Sequence, residues 1–188
     1  MQEYYDLFTK CKKEDAKAQR ILYDLFKGKL MGLCRRYTRD KEAAQDVLQE
    51  AFIRIFKSLH QLESPEKLES WMKSVTVNTA INHYHRTKRR ELIFPLHQET
   101  DNGSGATVTW EHVQELPDEF LVALVNTLPE GCRMVFNLFA VEGYSHAEIA
   151  EKLRITEGTS RSQLHHAKYL LKEKLKCHDL AHYYEKFA

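Results

Sequence analysis

The chain has 188 residues, 43% hydrophobic and 29% charged, with a formal net charge of +1. That length holds one ordinary domain or two small ones, and the balance is that of a globular protein, not a disordered one. The N-terminal MQEYYDLFTKCKKED is too polar for a signal peptide and no apolar run approaches membrane length; Cys11, Cys34, Cys132 and Cys177 lack metal, redox or disulfide-framework spacing, so a soluble cytoplasmic protein without cofactor or membrane insertion is expected.

Residues Glu3 to about Thr38 read as helical, with apolar residues at Tyr4, Leu7 and Phe8, at Ile21, Leu22, Leu25 and Phe26, and at Leu30, Leu33 and Tyr37. Gly28 and Gly32 mark a break there or a site of close packing. This stretch is scaffold and carries no chemistry. Asp40 to Leu59 is the most regular helix of the chain, its apolar stripe formed by Val47, Leu48, Ala51, Phe52, Ile55, Phe56 and Leu59. Asp46, Gln49, Glu50 and Ile53 form a second line on another face. An isoleucine among exposed polar residues marks either a protein partner or a single stray apolar side chain.

Gln61 to Lys67, with Ser64-Pro65, reads as a loop. A helix restarts near Glu66 and runs to about Arg90, with Leu68, Trp71, Met72, Val75, Ile81 and Tyr84 as its apolar residues. Asn78 and Asn82 share a face that leads to Arg86 and Arg89. Asparagine is poor in a helix interior because its amide competes for backbone hydrogen bonds. Either these amides contact bases or sugars while the basic end (Arg86, Lys88, Arg89, Arg90) holds phosphates, or they are buried and tie the helix to its neighbours.

Charge is segregated beneath the near-neutral total. Between Glu91 and Glu130 there is no Lys or Arg, only acids at Glu99, Asp101, Glu111, Glu115, Asp118 and Glu119. Leu92 to Leu116 loses periodicity, holds Pro95 and Asn102-Gly103-Ser104-Gly105, and reads as a flexible acidic linker, with Trp110 as an anchor. Two short helices follow, Asp118 to Asn126 and Pro129 to Val141, the latter opening on residues suited to a first helical turn. Leu121, Leu124, Val125, Leu128, Val135, Leu138 and Phe139 supply their share of a core.

From Tyr144 to Lys176 the pattern is a helix-turn-helix. Ser145 and Glu148 have capping-box spacing, and Ile149, Ala150 and Leu153 give the short helix an apolar face. Arg154-Ile155-Thr156 is a tight turn. Thr156 caps a second helix whose buried stripe is Leu164, Ala167, Leu171 and Leu175. Its outward face carries Arg161, His165, Lys168 or Tyr169, and Lys172, flanked by Thr159, Ser162, Gln163 and His166. Such side chains bond base edges and phosphates in a major groove, and they also occur on the solvated face of an ordinary helical hairpin. The tail from Cys177 is a last amphipathic helix, and Cys177, His178 and His182 do not make a metal site. The fold class is therefore all-α: two small helical domains, 1–91 and 118–188, joined by a linker at 92–117, the second a four-helix domain with a helix-turn-helix.

No phosphate-binding loop, dinucleotide fingerprint, HExxH or GxSxG occurs, so an enzyme is not expected. Two separated segments instead carry a resemblance. Asp46 to Phe56 (DVLQEAFIRIF), Trp71 to Asn82 (WMKSVTVNTAIN) and the basic run after it resemble region two of bacterial sigma factors. Leu128 to Arg133 (LPEGCR), Gly143 to Ala150 (GYSHAEIA) and Glu157 to Ser162 (EGTSRS) resemble region four. With only a linker between them, the chain is similar to the small extracytoplasmic-function group over nearly everything from Gln19 to Leu175.

The resemblance implies a promoter-specificity subunit whose partners are RNA polymerase core, promoter DNA and an anti-sigma factor. It implies that Asp46, Gln49, Glu50 and Ile53 dock on the clamp helices of the largest polymerase subunit. It implies that the loop from His60 to Lys67, with Gln61, takes up a flipped base of the minus-ten element, and that Asn78, Asn82, Arg86, Lys88, Arg89 and Arg90 hold the melted strand. The linker would thread the polymerase channel. The recognition helix, through Thr159, Arg161, Ser162, Gln163, His165, His166, Lys168 and Lys172, would read the minus-thirty-five element as duplex. Two positions depart from the family: His166 where arginine is frequent, and Asn82 where aspartate is common. Two alternatives compete: a stand-alone helix-turn-helix regulator with an N-terminal interaction module, and a sequestering module that binds polymerase or a sigma factor without touching DNA.

Overall fold

The computed structural model describes residues 2–93 and 118–177, with side chains over 5–89 and 122–174. Helix is the only regular structure among them. Helix runs on through Leu92 and Ile93, the first two residues of the expected linker; the rest of it with Trp110, and the tail residues His178 and His182, lie outside the described residues, as do the side chains of Arg90 and Leu175. The chain divides after Arg90 into two compact units. No described helix is long and apolar enough to cross a membrane.

The first unit is built from α1 (Gln2–Lys12), α2 (Ala16–Tyr37), α3 (Lys41–Ser58) and α4 (Leu68–Ile93), with 3-10 turns at Leu59–Gln61 and Pro65–Lys67. The first break falls between Lys12 and Ala16, not at the glycines. Lys13, Glu14 and Asp15 fold back on the carbonyls of Lys10 and Cys11, Glu14 takes a left-handed φ of 60°, and the Asp15 carboxylate caps α2 by accepting from Ala18 N at 2.8 Å. α2 then runs unbroken through Gly28 and Gly32, and a Cβ added at either would meet nothing within 4 Å. Neither glycine marks a break or a close approach. Asp40 caps α3 in the same way, accepting from Ala43 N at 2.8 Å.

The core of this unit combines Leu22, Phe26, Leu30 and Leu33 of α2 with Val47, Leu48, Ala51, Phe52 and Ile55 of α3 and Met72, Val77, Ala80, Ile81 and Tyr84 of α4. At about 25 cal/mol per Å² of apolar surface removed from water, these side chains are the main stabilising contribution to the unit. Buried Thr76 and Thr79 turn their hydroxyls back to the carbonyls of Met72 and Val75, each at 2.8 Å, and so leave no unpaired donor. Lys29 of α2 pairs with Glu69 of α4 at 3.4 Å, an exposed pair that orients more than it stabilises.

The second unit holds α5 (Asp118–Asn126), α6 (Glu130–Phe136) with a wider π turn at Asn137–Val141, α7 (His146–Leu153) and α8 (Glu157–Cys177). The helix expected over Pro129 to Val141 is thus an α-helix whose last turn widens. Gly143, at φ +77°, then reverses the chain so that Tyr144 N donates to Leu138 O at 2.9 Å. Leu124, Val125, Leu128, Met134, Val135, Leu138, Ile149, Leu153, Leu164, Ala167 and Leu171 are buried together as the core.

Candidate functional site

On α3 the buried stripe points the opposite line outward. Asp46, Gln49 and Ile53 are exposed, Ile53 by 55%. Glu50 differs from its neighbours on that line. It is half-buried, and its carboxylate accepts from Arg54 Nη2 at 2.7 Å and from Arg86 of α4 at 3.2 and 2.5 Å. The Arg86 hydrogen bonds, with the nearby Arg86 and Arg54 charges, hold the Glu50 carboxyl below the usual carboxylate range against the opposing effect of burial. Two residues to which the family resemblance gives different partners are therefore paired with each other.

The loop after α3 is short and pinned at both ends. Leu59 and Pro65 are buried, His60, Gln61 and Lys67 are exposed, and Lys12 of α1 donates to Leu62 O at 2.9 Å. The Glu66 carboxylate accepts from the hydroxyls of Ser64 and of Tyr5 on α1. Helix α1 thus holds this loop in place.

Along α4, Asn78 and Asn82 are both exposed, not buried. Arg89 is exposed too, while Lys88 is half-buried with its ammonium 5.1 Å from the centre of the Tyr84 ring. The unit also carries an apolar feature that periodicity hid. Ile21 and Leu25, placed among the apolar residues of a scaffold helix, are 52% and 57% exposed, and with Leu7 and Ala18 they line a groove beside α1.

In the second unit the expected turn chemistry is present. Ser145 Oγ accepts from Glu148 N at 3.3 Å while the Glu148 carboxylate accepts from Ser145 N at 2.8 Å, a complete capping box. Arg154 closes α7 at a left-handed φ of 55°, with Ile155 N donating to Ala150 O at 3.0 Å. Thr156 Oγ1 accepts from Thr159 N at 3.1 Å and starts α8. One contact was not anticipated. Ser160 is fully buried, and its hydroxyl lies 2.9 Å from His146 Nδ1, while the His146 ring stacks on Phe139 at 4.7 Å. This bond fastens the first turn of α7 to the first turn of α8. The signal was a polar residue one turn ahead of Leu164 on the buried stripe.

The outward face of α8 is narrower than expected. Thr159, Arg161, Ser162 and His165 are exposed. Arg161 pairs with Glu157 at 2.6 Å, and the Thr159 and Thr156 hydroxyls lie 2.9 Å apart. Gln163, His166, Lys168 and Lys172 are half-buried. Gln163 lies against α6, so close that a Cβ at Gly131 would come within 2.8 Å of its Nε2. The Lys168 ammonium sits 5.9 Å from the Phe139 ring centre, and the His166 and Tyr169 rings lie parallel at 6.4 Å. Among the described residues no group of His, Cys, Asp or Glu is arranged to hold a metal.

Comparison with known proteins places both units. Residues 22–90 match the model of sigma-70 region 2, and residues 121–171 match that of sigma-70 region 4. The chain is 27% identical to the ECF RNA polymerase sigma factor SigW of Bacillus subtilis (strain 168), over 88% of this chain and 92% of the relative. It is 29% identical to the RNA polymerase sigma-H factor of Pseudomonas aeruginosa, over 86% and 88%. It is 27% identical to the ECF RNA polymerase sigma-E factor of Escherichia coli (strain K12), over 90% and 92%. Among solved structures, the sigma factor RpoE from Bartonella quintana, in complex with the anti-sigma factor NepR, has 18% identity and a TM-score of 0.48, covering 84% of this chain and 96% of that one.

Proposed function

The chain belongs to the extracytoplasmic-function (ECF) family of RNA polymerase sigma factors and directs RNA polymerase to promoters, and from that premise we propose how its residues divide the work. Residues 1–91 dock on polymerase core and hold the opened minus-ten element, 92–117 link, and 118–188 read the minus-thirty-five element. The chain is a specificity subunit with no catalysis of its own, and its site of action is the cytoplasm, where promoter and polymerase are.

Docking uses the exposed line Asp46, Gln49 and Ile53, with Glu50 beside it, against the clamp helices of the largest subunit. A large apolar side chain ringed by polar ones is the anatomy of a small interface centre. The opened strand lies along α4. Asn78 and Asn82 offer amide donors and acceptors to bases that have left the duplex, and Arg86, Lys88, Arg89 and Arg90 face phosphates. His60, Gln61 and Lys67 border the pocket for a flipped base. In the second unit Thr159, Arg161, Ser162 and His165 enter the major groove. Lys168, Lys172 and His166 serve phosphates at the groove edge, and Gln163 serves by packing α8 on α6. An anti-sigma factor, which the family resemblance implies, would hold the chain inactive by covering these surfaces.

The observation that carries the reading is the exposure of Asn78 and Asn82 on a helix with a basic end that meets α3 through Arg86 and Glu50. The test is run-off transcription of a genomic promoter library by purified core with and without the chain. Transcripts that start at a defined subset of promoters only when the chain is added support it. Transcription indifferent to the chain rejects it.

A further inference from the structure

We propose that Arg154, in the turn of the helix-turn-helix, grips a phosphate of the minus-thirty-five duplex. The proposal rests on the reading of α8 as the recognition helix. Arg154 ends α7 at φ 55° and ψ 47°, which is left-handed backbone. That conformation brings Cβ too close to the following carbonyl oxygen, so helices that end this way usually end on glycine and sometimes on asparagine. The turn requires it. Arg154 N donates to Glu151 O at 3.3 Å and Ile155 N to Ala150 O at 3.0 Å, and Ile155 and Thr156 alone remain before Glu157 opens α8. The same unit uses a glycine, Gly143 at φ +77°, to enter α7. At the exit a long cation stands where glycine would sit without strain, and strain kept at one residue points to a use for its side chain. A cation at a helix C-terminus also favours the helix dipole, but Lys152 in the last turn of α7 already supplies that without a left-handed residue.

The Arg154 side chain is exposed and uncommitted. Glu151 and Glu157 lie three residues to either side of it. Glu157 accepts from Arg161 at 2.6 Å instead, and among the described residues no carboxylate pairs with Arg154. Neighbouring cations lie against aromatic rings: the Lys152 ammonium is 4.7 Å from the Tyr144 ring centre and that of Lys168 is 5.9 Å from the Phe139 ring centre. When a helix-turn-helix binds DNA, its first helix crosses the backbone and its second enters the major groove. The turn that joins them therefore lies at the groove edge, where sugar and phosphate pass. A guanidinium there presents five N–H donors in a rigid fork that matches phosphate oxygens. Arg154 thus adds affinity and fixes register without reading sequence, while Thr159, Arg161, Ser162 and His165 face base edges.

The experiment uses the full chain assembled on polymerase core and, as probe, a duplex promoter fragment recovered from the library test above, at a temperature that keeps the DNA paired. Arg154→Gly is expected to weaken binding about fivefold and to reduce the steepness of log affinity against log salt by about one, equally on fragments that differ in the minus-thirty-five sequence. Because glycine relieves the left-handed residue, hydrogen exchange of α7 and α8 should be unchanged or slower by up to about threefold. Arg154→Lys keeps the charge and loses the fork, so the salt slope should hold and affinity should fall by less than about threefold. Unchanged affinity and slope in Arg154→Gly would overturn the proposal, as would a loss restricted to particular base pairs. Faster exchange of α7 would also overturn it, by making Arg154 a cap. Arg161→Ala is measured alongside. If Arg161→Ala weakens binding and Arg154→Gly does not, the assignment of Arg154 alone is wrong; if neither weakens it, the reading of α8 as recognition helix fails and the proposal falls with it.

Discussion

Replacing Ser160 by alanine removes the hydroxyl that meets His146 across the helix-turn-helix, and its effect can be worked out from the geometry. Ser160 is fully buried and its Oγ lies 2.9 Å from His146 Nδ1, so the substitution leaves a ring nitrogen facing a methyl group. Losing one partner of such a bond costs about 1–2 kcal/mol. Alanine is the better helix former and returns up to about 0.5 kcal/mol. The net destabilisation of the second unit is about 1 kcal/mol, which speeds exchange of its slowest amides about fivefold. Hydrogen exchange of α7 and α8 by mass spectrometry reads this unit separately from the first. Ser162→Ala is the control: Ser162 is exposed on the same helix, so it gains the propensity and loses no buried bond, and exchange should slow slightly. His146→Ala should add little to Ser160→Ala beyond the loss of its stacking on Phe139. If Ser160→Ala and Ser162→Ala exchange alike, the bond does not fasten the two helices and the reasoning fails.

Ser145→Ala should cost about 1 kcal/mol by removing the α7 cap, seen as faster exchange confined to that helix and its turn. The Ser145 hydrogen bonds hold the Glu148 carboxyl below its ordinary value of 4.5, so the cap's contribution is present above that value and is lost as pH falls through the lower folded value; a helix-turn-helix whose protection is insensitive to acid over that window would contradict this. Ile53→Asp should weaken core binding about tenfold or more while shifting thermal stability by less than about 0.5 kcal/mol, because the side chain already faces water; a folding defect measured by thermal unfolding would place Ile53 in a packing role instead. Changing Arg86, Arg89 and Arg90 to alanine together should slow promoter opening and reduce the slope of log affinity against log salt by up to about three phosphate contacts, and an unchanged slope would exclude phosphate contact there.

The sequence made the helix-turn-helix legible because its signals are local. A capping box, a left-handed turn and a stripe at helical spacing are all decided within a few residues. The same logic misplaced the first break, because glycine was weighed as a helix breaker. At exposed positions in a long, well-buried helix, Gly28 and Gly32 cost too little to interrupt it, whereas Asp15, a side-chain cap ahead of Ala-Lys-Ala-Gln, sets the real start. Side-chain direction was the second limit. Periodicity assigns Gln163 and Lys168 to a face within about one residue, but their long side chains lean back onto Gly131 and Phe139, neighbours that only the fold supplies. The Glu50–Arg86 pair could not be read at all from spacing, since it joins two helices across 36 residues. The resemblance supplied each residue with a partner in a larger assembly, and it had no means of showing that the two residues were partners of one another.

The grip of α1 on the loop after α3 has a practical corollary. Tyr5 and Lys12 act as a splint, anchoring Glu66 and the Leu62 carbonyl from the first helix. Trimming the amino end, or fusing a bulky affinity handle to it, is therefore not a neutral choice. On the reading that this loop borders the flipped base, either is expected to loosen it and shift which start sites the holoenzyme prefers, even in a preparation that stays folded and still mounts on its polymerase.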